Sequence, residues 1–184
     1  ILTRDELLTL EPRLNPEADS ALFAGTGGTV EPYEVAIALA ENAAVNGVEF
    51  LFESSVRGIR SVQESWEVAT DRCILQTKFV VNAAGLFADD VSVMAGAGNF
   101  TLYPRRGEYV LIENQPDYEV RRPIFQVPTK RGKGIVVSRT VDGTIIAGPT
   151  ADDGDDKEST ATTADGLART LAGARRSVPM LDSR

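Results

Sequence analysis

The chemistry open to this chain is bounded first by what it lacks. Its 184 residues include no histidine and one cysteine, Cys73. A Ser-His-Asp or Cys-His nucleophile and a His-ligated metal therefore cannot be built from these residues alone. Carboxylates, Arg, Lys, Tyr, backbone groups or a cofactor remain. The most specific stretch is Val80-Val81-Asn82-Ala83-Ala84-Gly85-Leu86-Phe87-Ala88-Asp89. An apolar run delivers the backbone to a turn of small residues. At the carboxyl edge of a sheet, Ala83, Ala84 and Gly85 would let a nucleotide approach the main chain closely. Any strand-to-helix turn also favours small residues, so the segment alone leaves both readings open. The run Asp152-Asp153-Gly154-Asp155-Asp156 has carboxylates at the alternate spacing of a hard-cation loop. It lacks the twelfth-position Glu of such a loop and reads as a solvated acidic turn.

The elements that must position these groups follow from hydrophobic period and from turn residues. A short amphipathic helix is expected over Asp5–Leu10, stopped before Pro12, and a loop over Arg13–Thr29. Pro32 opens a helix over Tyr33–Asn46 rich in alanine, ended by Gly47 and suited to close packing against a sheet. Strands are expected at Val48–Phe52, Val56–Val62, Trp66–Thr70 and Ile74–Thr77. Phe79-Val80-Val81 reads as a strand buried on both faces, followed by a helix that ends at Gly96. The second half reads as strands at Glu108–Ile112, Ile124–Val127, Gly134–Ser138 and Thr144–Ala147, the last two joined over Asp142-Gly143. The last helix begins near Thr162-Thr163, with Asp165 placed for a capping box. It carries an apolar stripe of Leu167, Leu171, Ala174 and Val178. This order predicts an α/β (mixed α+β) fold in which an antiparallel sheet is inserted between pieces of an α/β domain.

Composition is that of a globular protein, 42% hydrophobic and 25% charged. The net charge of -8 makes nucleic acid and anionic membrane surfaces poor partners. No apolar run approaches the roughly 20 residues of a membrane span. The lone Cys73 suits a reducing compartment, and a cytoplasmic location is expected. The start at Ile1 and the stop at Arg184 read as the ends of an internal fragment.

The Val80–Asp89 string resembles the second flavin-contacting motif of the D-amino-acid-oxidase-like FAD-dependent oxidoreductases, a strand ending Asn-Ala-Ala-Gly before an aromatic residue and Ala-Asp. Further segments resemble the same superfamily in order. They are Val30-Glu31-Pro32-Tyr33-Glu34 with its helix, Val48 to Gly58, Tyr103-Pro104-Arg105-Arg106-Gly107-Glu108-Tyr109, Gly148-Pro149-Thr150-Ala151, and the last helix with Ala161-Thr162-Thr163. Within the superfamily the chain is most similar to bacterial glycerol-3-phosphate dehydrogenases and L-2-hydroxyglutarate-oxidase-like proteins. Val136 stands where the histidine of hydroxyglutarate-oxidising members aligns, which counts against that substrate.

The resemblance implies FAD as cofactor, with contacts from Val56, Ala83, Ala84, Gly85, Gly148 and Thr150. Plain strand-end turns would use Gly148 and Thr150 equally well. It implies a partial FAD-binding, Rossmann-like domain over residues 1–98 and substrate-domain strands with a closing helix over 99–184. It also implies hydride transfer to FAD from a small anionic hydroxy compound, sn-glycerol 3-phosphate being the first candidate. Such a substrate needs a cationic anchor, and Arg forks bind carboxylate or phosphate bidentately. Arg106 and Arg139 are the candidates, with Tyr109 as a hydrogen-bonding wall. Lys130, Arg131 and Lys133 form a second basic cluster. For any single Arg or Lys, a solvated surface charge is the simpler reading. Other readings are an oxidase of L-2-hydroxy acids or amino acids and a non-catalytic interaction domain with the same fold. A nicotinamide binder is disfavoured, because no glycine-rich fingerprint follows a strand. The Gly-x-Gly-x-x-Gly turn that cradles a pyrophosphate is absent, and Gly25-Thr26-Gly27-Gly28 has the wrong spacing to replace it. The isolated chain is therefore expected to bind FAD weakly or not at all, to be inactive, and to self-associate through truncated apolar surfaces.

Overall fold

A computed structural model describes residues 1–115, 119–128, 132 and 134–181. The chain forms two compact units. One comprises Ile1–Ile37, Arg105–Asp152 and Thr160–Arg184, the other Ala38–Pro104 and Asp153–Ser159.

The first unit opens with β1 (Leu2–Thr3), α1 (Arg4–Leu10) and β2 (Ser20–Ala21), in which β1 and β2 pair antiparallel. Thr3 and Glu6 form a capping box at the start of α1. The helix α2 (Pro32–Val45) then runs from this unit into the next, and it buries none of its residues. Close packing of its alanines on a sheet is thus not observed. In the second unit, β3 (Val56–Val62), β4 (Ser65–Thr70) and β5 (Ile74–Thr77) form an antiparallel meander. A single 3-10 turn, Gly85–Phe87, leads into α3 (Ala88–Met94). Two expected strands are missing here. Val48–Phe52 and Phe79–Val81 pair with nothing among the described residues, and Phe79 and Val81 are 82% and 88% exposed. An extended apolar segment becomes a strand only when neighbours satisfy its backbone groups and cover its faces.

The remaining elements are β6 (Arg105–Arg106), β7 (Val110–Ile112), β8 (Val136–Arg139), β9 (Ile145–Gly148), β10 (Asp152–Asp153) and α4 (Ala164–Ser177). β9 lies between β7 and β8 in an antiparallel sheet, with Ile112 opposite Ile145, Val110 opposite Ala147 and Val136 opposite Gly148. Ile124 alone bridges to Val137, so the strand expected over Ile124–Val127 shrinks to one residue. Gly143 supplies the positive φ of 94° that the turn between β8 and β9 requires.

Successive strand residues face opposite sides. Val137, Ile145 and Ala147 point into a core completed by Ile112, Val120, Ala174, Val178 and Leu181. α4 covers that side through Gly166, Thr170, Ala174 and Ser177. Of the expected stripe, Ala174 and Val178 are fully buried and Leu171 packs against the core, whereas Leu167 is 37% exposed and Gly166 and Thr170 are buried in its place. The reason is close approach: Gly173 packs on Ile135, and Gly166 lies under the Glu108 carboxylate, leaving no room for side chains. Gln126 Nε2 donates to Gly173 O at 2.7 Å and to Ser177 Oγ at 3.1 Å, tying the approach to β8 onto the same helix.

Candidate functional site

With α4 on one side of the β7–β9–β8 sheet, the alternate residues Val136 and Ile146 point to the other. There they line an open cleft of about 170 Å³ together with Tyr109, Phe125, Gly148 and Pro149. Its lining is apolar apart from the Tyr109 hydroxyl and backbone groups. Two glycines allow this wall to form. An added Cβ on Gly148 (φ +144°) would come within 2.5 Å of Tyr109 Cδ1, and one on Gly107 within 2.6 Å of Pro149 Cβ. The two segments are joined by Thr150 N–H donating to Glu108 O at 3.1 Å and Glu108 N–H donating to Thr150 Oγ1 at 3.0 Å.

Glu108 is the hub behind the wall. It is 4% exposed. Its Oε2 accepts the Thr163 N–H at 2.6 Å, its Oε1 accepts the Thr163 hydroxyl at 3.1 Å, and Arg106 Nη2 stands 3.2 Å from Oε1. Thr163 Oγ1 in turn accepts the Gly166 N–H at 2.9 Å. This is capping-box chemistry with the carboxylate supplied from the segment between β6 and β7. Asp165, the residue expected in that role, instead accepts from Arg169 Nε at 2.7 Å.

Of the expected substrate-side residues, Tyr109 lies in the cleft, whereas Arg106 and Arg139 are not among its lining residues. Arg106 pairs with Glu108. Arg139, at the end of β8, lays its guanidinium beside Gly143 at the tip of the hairpin. Lys130, Arg131 and Lys133 fall outside the described residues. Asp152, read as part of a solvated acidic turn, is held by a two-pronged contact from Arg169 (2.9 and 2.8 Å). That contact lowers its carboxyl pKa below the usual value and raises that of Arg169.

Of the expected cofactor contacts, Gly148 lines the cleft and Thr150 is buried beside Glu108. Val56, Ala83, Ala84 and Gly85 belong to the second unit. Val56 opens β3 next to a register shift between Val56 and Gly58. The Asn82–Gly85 turn is exposed. Gly85 has φ +57°, and nothing lies within 4 Å of the place a Cβ would occupy, so its main chain is open to a ligand on that side. A flavin nucleotide, which needs close backbone approach, fits the exposed Asn82–Gly85 turn. Asn82 Nδ2 donates to Ala88 O at 2.8 Å and fixes the turn to α3.

Sequence reasoning missed Phe125, Ile146 and Pro149 in the cleft. Ile146 was within reach of the period-2 rule, since its neighbours Ile145 and Ala147 face the core. Phe125 carried no such signal, because it lies outside any extended strand.

Comparison with known proteins identifies the family. The FAD dependent oxidoreductase family model matches residues 1–184. A glycerol 3-phosphate dehydrogenase from Caloramator mitchellensis is 39% identical over 181 residues, 98% of this chain and 38% of that protein. The structure of dithionite-reduced L-alpha-glycerophosphate oxidase from Mycoplasma pneumoniae with FAD bound superposes with a TM-score of 0.85. It is 32% identical, over 98% of this chain and 48% of that one. Glycine oxidase from Geobacillus kaustophilus gives a TM-score of 0.82 at 25% identity, over 97% of this chain and 46% of that one. The chain thus spans less than half the length of each relative.

Proposed function

Because the chain belongs to the FAD dependent oxidoreductase family, we propose that the whole protein oxidises sn-glycerol 3-phosphate, the present residues supplying the substrate wall and part of the flavin-binding surface. The observation that carries this reading is the cleft at the carboxyl end of β9, where Tyr109, Gly148 and Pro149 meet on the sheet face that α4 leaves uncovered. An apolar cleft with few polar groups orients a small molecule through those groups. FAD, when bound, supplies the hydride acceptor. Val56, Ala83, Ala84 and Gly85 in residues 1–98, with Gly148 and Thr150 in 99–184, are the proposed cofactor contacts. Tyr109 is the proposed hydrogen-bonding wall of the substrate domain; Arg106, paired with Glu108, and Arg139, beside Gly143, lie outside the cleft lining and are not assigned the phosphate. The similarity to a glycerol 3-phosphate dehydrogenase over 98% of the chain supports this substrate. Val136 in the cleft wall speaks against hydroxyglutarate, since it has no polar group to offer a second carboxylate.

No helix among the described residues is long and apolar enough to cross a membrane. We place the protein in the cytoplasm, in keeping with the single, exposed Cys73.

The test compares full-length protein with residues 1–184. Only the full-length protein is expected to quench FAD fluorescence, and anaerobic glycerol 3-phosphate is expected to bleach its flavin absorbance while L-2-hydroxyglutarate and glycine do not. Bleaching by one of those instead, or by none, overturns the substrate reading. Light scattering on residues 1–184 is expected to show oligomers, given the exposed Phe52, Phe79 and Val81.

A further inference from the structure

The second unit contains a charged cluster that neither the cleft nor the flavin contacts explain. Asp89, in the first turn of α3, is 7% exposed. Its Oδ2 accepts the Leu102 N–H at 3.0 Å. Its Oδ1 accepts from Lys157 Nζ at 2.6 Å and from the Asp90 N–H at 3.0 Å. The same ammonium donates to Asp90 Oδ2 at 3.1 Å and stands 5.5 Å from the centroid of the Phe87 ring. Leu102 N–H, ahead of Lys157, holds the Asp89 carboxyl down at about 2. Exposed ion pairs contribute little. Here one cation serves two carboxylates and an aromatic face, with the Lys157 side chain only 20% exposed.

The cluster sits directly behind the turn read as a flavin contact. Asn82 is bonded to Ala88 through its side-chain amide, the Ala84 N–H donates to Asn82 Oδ1 at 3.3 Å, and the Phe87 N–H donates to Ala84 O at 3.0 Å. Asp89 is the next residue. Lys157 comes from the segment Asp153–Ser159, which is also tied down by Gly154 N–H donating to Pro104 O at 3.0 Å. We propose that Lys157 is a positioning residue for FAD: by clamping Asp89, Asp90 and Phe87 it holds the Asn82–Gly85 turn in the conformation that presents its backbone to the cofactor. The proposal rests on the reading of that turn as a flavin contact. If the clamp is lost, the turn occupies its competent conformation for a smaller fraction of the time, and apparent affinity falls by that fraction.

The experiment measures FAD release from full-length holoenzyme on dilution, by the rise in flavin fluorescence, for wild type, Lys157→Met and Lys157→Arg. Met keeps most of the side-chain bulk and loses the charge; Arg restores a cation. Release from Lys157→Met is expected to be about tenfold faster, and release from Lys157→Arg within about threefold of wild type. KM for substrate should be unchanged, and amide exchange should accelerate over residues 82–95 but not in the β7–β9–β8 sheet. A merely structural role would lower the melting temperature without changing release well below it. Asp90→Asn, which removes one exposed negative charge, provides a milder second variant and is expected to release FAD about twofold to threefold faster. Wild-type release from both Lys157→Met and Asp90→Asn overturns the proposal and leaves the flavin reading intact. Failure of the full-length wild type to hold FAD overturns the flavin reading, and the proposal with it.

Discussion

Replacing Glu108 by Ala tests whether this carboxylate organises the first unit. The side chain is 2% exposed and paired with Arg106. It accepts the Thr163 N–H at 2.6 Å and the Thr163 hydroxyl at 3.1 Å, above a glycine that leaves room for nothing else. Losing a charge-assisted hydrogen bond to a buried group costs about 1.5–3 kcal/mol. Loss of a helix cap adds about 1 kcal/mol. The void left over Gly166 raises the total to roughly 3–4 kcal/mol. Glu108→Gln keeps the shape and one acceptor, so its cost should be about 1 kcal/mol. The assay is native-state hydrogen exchange on the α4 amides from Leu167 onward. If local opening controls exchange, Glu108→Ala should accelerate it by roughly 150-fold to 700-fold and Glu108→Gln roughly fivefold, at about 1.4 kcal/mol per decade. Acceleration below fivefold in the Ala variant, or equal rates in the two variants, would refute the role given to this carboxylate.

Two further outcomes are expected. Gly148→Ala forces a Cβ to within 2.5 Å of Tyr109 Cδ1 at φ +144°, so the cleft wall must shift. In the full-length enzyme kcat/KM per bound flavin should fall about tenfold or more, and flavin content should fall with it because Gly148 is also a proposed cofactor contact; unaltered values of both would show that this wall faces neither. Asp89 has its pKa depressed from 3.8 to about 2, which ties part of the stability to pH. A depressed carboxyl contributes fully above its unfolded value and loses that contribution as pH falls through its folded value. The stability gap between wild type and Asp89→Asn should therefore be constant above pH 4 and shrink between about pH 4 and 2. A gap independent of pH across that window would contradict the Leu102 and Lys157 contacts.

The local elements were legible because their signals are local. Alternation over Trp66–Thr70, the turn at Asp142-Gly143 and Pro32 at the head of α2 all lie where expected. The Asn82–Gly85 turn was legible for the same reason: small residues between an apolar run and a helix need no distant partner to be noticed. Where a distant partner decides, the sequence misled. Phe79–Val81 has the composition of a buried strand, yet among the described residues no strand pairs with it, and it lies exposed. Asp165 has the spacing of a capping acid from Thr162, but the helix is capped by Thr163, which puts Gly166 in the third position and leaves the space above it to Glu108.

The sequence alone thus determined the chemistry that this chain excludes, the flavoprotein motif and most of the secondary structure. Only the tertiary structure decided that Phe125, Ile146 and Pro149 join Tyr109 in one cleft, that Arg106 and Arg139 are engaged elsewhere than in its lining, and that Lys157 serves Asp89 across 68 positions. The physical reason is range. Propensity and period act over a few residues, whereas a cleft, a buried carboxylate and its cation are set by which distant segments can share the same volume.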